Sequence, residues 1–289
     1  MPSKTLNIAL AGTGVGKSLF MCHLAASSLL EGKNVLYITL EMAEERIAER
    51  IDANLLDVTM DDLHTMPKDL YDNKIEKIRQ KTGGKLIIKE YPTASAHSGH
   101  FRALFNELAL KKSFKPDVVF IDYLNICASA RFKGGNISSY FYIKAIAEEL
   151  RGLAVEFNVP IFSATQTTRT GFVSTDIGLE DTSESFGLPA TADFMFALMS
   201  NEELEQLGQM KVKQLKNRYN DPSINRAFIV GVDRSKMRLY DVQQKAGEIV
   251  DANQVDEKED AYNKFSAVSY THLRAHETVL DLVCRLLLE

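Results

Sequence analysis

Residues 11–18 read Ala-Gly-Thr-Gly-Val-Gly-Lys-Ser. Glycines at 12, 14 and 16 let the backbone wrap so that successive N–H groups point at one anion, and a helix starting at Lys17 adds its positive N-terminal end. In this phosphate-loop pattern Gly12, Thr13, Gly14, Val15 and Gly16 cradle a nucleoside triphosphate. Lys17 reaches its β- and γ-phosphates, and Ser18 holds Mg2+ through its hydroxyl. Ala11 stands where a first glycine is common. The bland alternative is a glycine-rich turn between strand and helix, but the pattern stands at that junction with both Lys and Ser present.

Three further residues have matching chemistry. Asp122 closes the apolar run Val-Val-Phe-Ile, and a carboxylate at the end of a buried strand lies beside the ligand crevice of an open parallel sheet. There it would organise Mg2+ as a Walker B aspartate rather than cap a helix or turn. Tyr123 follows it, so no glutamate directly after Asp122 can serve as the base that hydrolysis needs. Glu41 comes immediately after the apolar run 34–40 and reads equally as that base or as a charge at a helix N-terminus. Gln166 ends another such run and reads either as a sensor of the γ-phosphate or as a polar residue leaving a strand.

These groups must be brought together by alternating strands and helices. Strands are expected over 5–11, 34–40, 85–91, 117–124, 159–166 and 193–199, and helices over 18–30, 42–56, 99–112 and 140–158. The continuous β-branched runs suit strands covered on both faces. The last helix carries Ile143, Ile146, Leu150, Leu153 and Phe157 on one stripe. This alternation implies an α/β fold with a mainly parallel central sheet flanked by helices. Beyond residue 209 the segments have short turns between them and read as antiparallel edge strands on the C-terminal side.

Composition narrows the class. The chain has 289 residues, 45% hydrophobic and 25% charged, with a net charge of -5. That balance argues against a wholly basic nucleic-acid coat but not against a local basic groove. Cys22, Cys127 and Cys284 have neither disulfide-framework nor metal-ligand spacing, which favours a reducing cytoplasm. No apolar run approaches the ~20 residues of a membrane helix, and no signal peptide is expected.

The segments 11–18, 34–58, 117–129, 144–160, 163–166, 187–195 and 213–221, in this order, resemble the RecA-like ATPase domain of DnaB-family replicative helicases, in particular those of T-even-type phages. The likeness covers roughly residues 5–245 and implies a RecA-like P-loop NTPase. It implies that Glu41 is the catalytic base and that Gln166 links the γ-phosphate to DNA-binding loops. It also implies that Lys216 and Arg218 enter a neighbouring subunit's ATP site, where an arginine stabilises charge developing on the γ-phosphate. Taken alone, Arg218 is an ordinary surface charge. A hexameric ring follows, with ATP or another NTP and Mg2+ as cofactors, and with single-stranded DNA, a primase and a helicase loader as partners. The loops 130–139 and 167–178 are candidates to line the central hole, with Arg131, Lys133 and Arg169 meeting DNA phosphates. The basic cluster 233–238 is either another such contact or a hairpin turn. A RecA-type recombinase, sharing fold and site, is the alternative.

The organisation expected is an ATPase domain at 1–245, a polar linker at 246–265, and a tail at 266–289 that matches no preceding pattern and resembles translated adapter sequence. His272 and His276 in that tail have helical spacing, but nothing is spaced to complete a metal site. The family's N-terminal domain and linker helix have no counterpart here, so a gene fragment is expected.

Overall fold

The computed structural model describes residues 2–132, 137–167, 178–179, 182, 187–221 and 226–242. The linker 246–265, the tail 266–289 with its two histidines, and most of the loop 167–178 lie outside the described residues. So do Lys133 and Arg169.

The chain runs β1 (Leu6–Ala11), α1 (Lys17–Leu30), β2 (Val35–Thr39), α2 (Glu44–Leu56), α3 (Met60–Thr65), α4 (Lys68–Thr82), β3 (Leu86–Glu90), α5 (Ser98–Lys112) and β4 (Val118–Asp122). A short 3-10 turn (Leu124–Ile126) leads to α6 (Ser139–Phe157), β5 (Ile161–Gln166), α7 (Gly187–Thr191), β6 (Phe194–Met199) and α8 (Glu202–Gln206). The strands β7 (Gln209–Asn217), β8 (Ala227–Asp233) and β9 (Arg238–Asp241) finish the described chain. Together they form one sheet in the order β3-β2-β4-β5-β1-β6-β7-β8-β9. The first six strands are parallel and the last three add antiparallel, the α/β architecture expected.

Alternation along the buried strands divides the core between two faces. Val35, Tyr37, Val118 and Phe120 pack with Phe20, Met21 and Leu24 of α1. Leu36, Ile38, Val119 and Ile121 point the other way, onto Phe101 and Leu104 of α5 and Ile146 and Leu150 of α6. Asp122, two residues past Phe120, therefore faces the α1 side. The helices α3 and α4 are additional to those expected. The described residues of α3 include no buried side chain, so it shows no apolar stripe for sequence reading to find.

The opposite edge of the sheet is held by Asp193. Its carboxylate is fully buried and accepts the Leu6 amide at 3.0 Å and the Arg151 guanidinium at 3.0–3.2 Å. This ties the start of β1 to α6 and to the entry of β6.

Candidate nucleotide site

The site forms where parallel strands end. In β1 Ala11 lies level with Gln166 of β5, and in β2 Thr39 lies level with Asp122 of β4. The phosphate loop, Glu41, Asp122 and Gln166 thus share the C-terminal edge of the sheet, as expected for an open parallel sheet.

The loop from Gly12 to Gly16 joins β1 to α1 through backbone that only glycine adopts freely. Gly16 has φ +123 and Gly14 φ +80, and a Cβ at Gly16 would meet the Met210 side chain at 3.3 Å. Gly16 caps α1 without any side-chain hydrogen bond to the first turn. The first amides of a 14-residue helix are thus left for an anion. Thr13 and Gly14 are exposed, so a ligand can approach. The Lys17 ammonium lies 3.4 Å from the Gly12 carbonyl and 5.9 Å from the centroid of the Tyr123 ring. Burial pulls its pKa below the ordinary lysine value, and the carboxylates of Glu41 and Asp122 oppose that pull.

Asp122 is buried to 1% exposure. Its Oδ2 accepts the Tyr37 hydroxyl at 3.0 Å, while Oδ1 has no hydrogen-bond partner. Burial raises its pKa, and the Tyr37 hydroxyl and, more weakly, Ser18 favour the charged form. A buried anionic oxygen with an open position, beside a hydroxyl and a phosphate loop, fits a hard divalent cation that enters with a nucleotide. Ser18 and Asp122 are the residues that would hold it. Glu41 is exposed on the bend after β2, near enough that its charge acts on Lys17, Asp122 and Tyr123. A water-facing carboxylate beside the loop suits proton abstraction from water. Gln166 donates through Nε2 to the Tyr123 hydroxyl at 3.2 Å.

Lys216 and Arg218 lie elsewhere. Since β7 runs antiparallel to β6, Asn217 is level with Phe194, the first residue of β6, which is level with Asn7 near the start of β1. The pair therefore occupies the edge opposite the phosphate loop. Arg218 is paired with Asp193 at 3.0 Å and is 41% exposed. Lys216 donates to the carbonyls of Pro189 and Ala192 at 2.6 and 2.7 Å. Arg131 is ion-paired with Glu148, and its own amide donates to Glu149 at 3.3 Å.

Two contacts of the candidate site escape sequence reading. Tyr37 is one, though a tyrosine in a fully buried strand requires a hydroxyl partner, and that signal is available. Arg234 is the other, in the cluster assigned to DNA or to a turn. The β8–β9 turn carries it to the phosphate loop, where Nη2 meets the Val15 carbonyl at 3.5 Å. Its neighbours Lys236 and Arg238 instead pair with Asp57.

Similarity to known proteins agrees with this geometry. The family model described as DnaB-like helicase C terminal domain matches residues 1–249. The DnaB-like replicative helicase of Enterobacteria phage T4 is 44% identical over 269 residues, 90% of this chain and 56% of that protein. A probable plasmid replicative DNA helicase of Chlamydia psittaci is 32% identical over 163 residues, 55% of this chain and 34% of that one. The chain thus spans about half the length or less of the curated relatives it matches. Among solved structures, one described as an ATPase domain superposes with a TM-score of 0.69 at 18% identity, covering 83% of this chain and 86% of that one. A DnaB-like replicative helicase, whose structure was described with its interactions with primase, superposes with a TM-score of 0.67 at 17% identity, covering 82% and 57%. Both carry the same fold.

Proposed function

The chain belongs to the DnaB-like helicase C terminal domain family, and from that premise we propose that it is the motor domain of a replicative DNA helicase. In this reading it hydrolyses ATP to move along single-stranded DNA and to unwind duplex at a replication fork. The observation that carries the proposal is the division of the catalytic groups between two edges of one sheet. Lys17, Ser18, Glu41, Asp122 and Gln166 gather at one edge, and Lys216 and Arg218 stand at the other. A subunit built this way completes its site only with a neighbour's basic pair.

The phosphate-loop amides and Lys17 would bind the phosphates, and Ser18 and Asp122 would hold Mg2+, which would supply neutralising charge to the phosphates. Glu41 takes the proton of the attacking water, and Gln166 contacts the γ-phosphate. A neighbour's Arg218, with Lys216 beside it, stabilises charge developing there. Closure of such head-to-tail contacts gives a ring, taken here as a hexamer. Arg131, Lys133 and Arg169 meet the DNA backbone. A primase and a helicase loader are the partners of the longer protein, acting in the cytoplasm of a phage-infected cell. Among the described residues no helix is long and apolar enough to cross a membrane.

The test is ATP hydrolysis by the assembled protein with and without single-stranded DNA. Stimulation by DNA is expected. Hydrolysis that is indifferent to DNA, in a preparation shown to be assembled, sinks the proposal.

A further inference from the structure

Tyr123 stands directly after Asp122, where a catalytic glutamate would be sought, and the structure gives it two contacts that join otherwise separate parts of the site. Its ring lies under the Lys17 ammonium, 5.9 Å from the centroid. Its hydroxyl accepts from Gln166 Nε2 at 3.2 Å. Lys17 follows β1, Tyr123 follows β4 and Gln166 ends β5, which lies between those two strands. One half-buried side chain therefore spans the C-terminal ends of three adjacent strands. The body of Tyr123 packs against the core on the α1 side, which limits the paths by which its hydroxyl can move.

The two contacts differ in strength. At 5.9 Å the ammonium is near the outer limit of attraction to a ring face, and its 3.4 Å approach to the Gly12 carbonyl is long for a hydrogen bond. A γ-phosphate offers Lys17 a charge-assisted bond that is much stronger than either. Lys17 is thus held only loosely over Tyr123. Gln166 is held by a hydrogen bond to the same tyrosine. Its backbone is fixed too, because Ala11 is its register partner and the Thr167 amide bonds to the Ala11 carbonyl at 3.3 Å. The side-chain amide is therefore the part of Gln166 left to be aimed, and Tyr123 aims it.

We propose that Tyr123 is a positioning residue that ties the seat of Lys17 to the orientation of the Gln166 amide, so that the site distinguishes a triphosphate from a diphosphate. The proposal rests on the reading of Gln166 as a γ-phosphate contact. It needs no second subunit and no DNA, so it is testable in binding equilibria on the full chain.

The experiment measures the affinity of wild type, Tyr123→Phe, Gln166→Ala and the double variant for Mg2+ with ADP and with a non-hydrolysable ATP analogue. The readout is the ratio of the two affinities. Tyr123→Phe keeps the ring under Lys17 and removes only the hydroxyl. It should lower the preference for the triphosphate by about fivefold, the worth of one ordinary hydrogen bond. Gln166→Ala should lower it at least as much, and the double variant no further than Gln166→Ala alone. A residue that only fills space would not show this non-additivity. Thermal unfolding of each variant separates loss of fold from loss of discrimination. An unchanged ratio in Tyr123→Phe, beside a reduced one in Gln166→Ala, overturns the role of Tyr123 alone. An unchanged ratio in Gln166→Ala, or a wild type that binds both nucleotides equally, overturns the reading of Gln166 and the proposal with it. Multiplying effects in the double variant overturn the link between the two residues.

Discussion

If Arg218 acts only on a neighbour's nucleotide, two inactive variants should restore each other. Lys17→Ala removes the phosphate contact on one edge of the sheet, and Arg218→Ala removes the arginine from the other. Arg218 is level with the start of β6, and the phosphate loop lies past its end. The six residues of β6 span about 20 Å, several times the reach of an arginine side chain. A contribution of Arg218 to its own site is therefore excluded by distance. Arg218→Ala alone should lose roughly a thousandfold or more in kcat, the usual weight of an arginine supplied in trans, and Lys17→Ala alone should be similarly inactive for want of its phosphate contact. In a randomly mixed 1:1 assembly, about one contact in four joins an intact phosphate loop to an intact arginine, and activity should recover to about a quarter of wild type if contacts act independently. The assay is steady-state ATP hydrolysis after unfolding and refolding the variants together, beside each refolded alone. Loss of Arg218 leaves Asp193 bonded to Arg151 and the Leu6 amide, so the fold should survive. A mixture no more active than the mean of its components refutes the trans role.

Glu41 is exposed, so Glu41→Gln should leave ATP binding within about twofold while kcat falls by roughly 100- to 10,000-fold, the weight of a general base; a loss confined to KM contradicts that role. Tyr37→Phe removes the hydroxyl that donates to Asp122 Oδ2 and leaves a buried carboxylate oxygen unpaired. Chemical denaturation should show a loss of about 1–3 kcal/mol, and an unchanged midpoint would mean that solvent replaces the bond. His23 carries a pH prediction. Burial, helped by the nearby Arg238 charge, lowers its pKa from 6.5 to about 4, so the unfolded chain takes up a proton that the folded one refuses. Its contribution is fully present above pH 6.5 and is lost as pH falls towards 4, amounting to about 2.5 kcal/mol by pH 4.5. Urea unfolding at pH 7 and 4.5 reads this, and His23→Asn should flatten that part of the profile. An equal loss in the variant assigns the acid sensitivity elsewhere.

The parts of the site legible in the sequence are those that lie at strand ends. A strand's apolar run marks where it stops, and in a parallel sheet the residue after it must emerge at the ligand edge. Glu41, Asp122 and Gln166 are legible that way, each within two residues of an apolar run. The phosphate loop is legible because a strand, three glycines and a helix start are all local. Contacts between residues far apart in the chain are not. Arg234 reaches Val15 across 219 positions, and nothing in the local composition of 233–238 separates it from Lys236 and Arg238, whose partner is Asp57. Asp193 reads as a lone acid before an apolar strand, and its two arginines come from α6 and from the end of β7. Side-chain partners depend on how the sheet is ordered, and the order β5-β1-β6 is set by crossovers that no short window contains.

The same topology explains why the basic pair could be named from a resemblance yet not from chemistry. In parallel strands the two edges are unlike: one receives loop ends and helix N-termini, the other helix C-termini and strand starts. An anion is held at the first edge by amides and Lys17. At the second, the buried Asp193 gathers Arg151 and Arg218, and Lys216 covers the last carbonyls of α7. With the exposed Glu41 carboxylate and the open phosphate loop at one edge and a partly exposed guanidinium at the other, the ring proposed above would join copies head to tail and not across a two-fold axis. Such a contact is heterologous, and it either closes into a ring or continues as a filament. Asp193 then has two consequences. It holds the start of β1 through the Leu6 amide and pairs with Arg218 at the edge opposite the phosphate loop, so in the proposed ring the carboxylate that anchors β1 would also position the arginine offered to the next subunit.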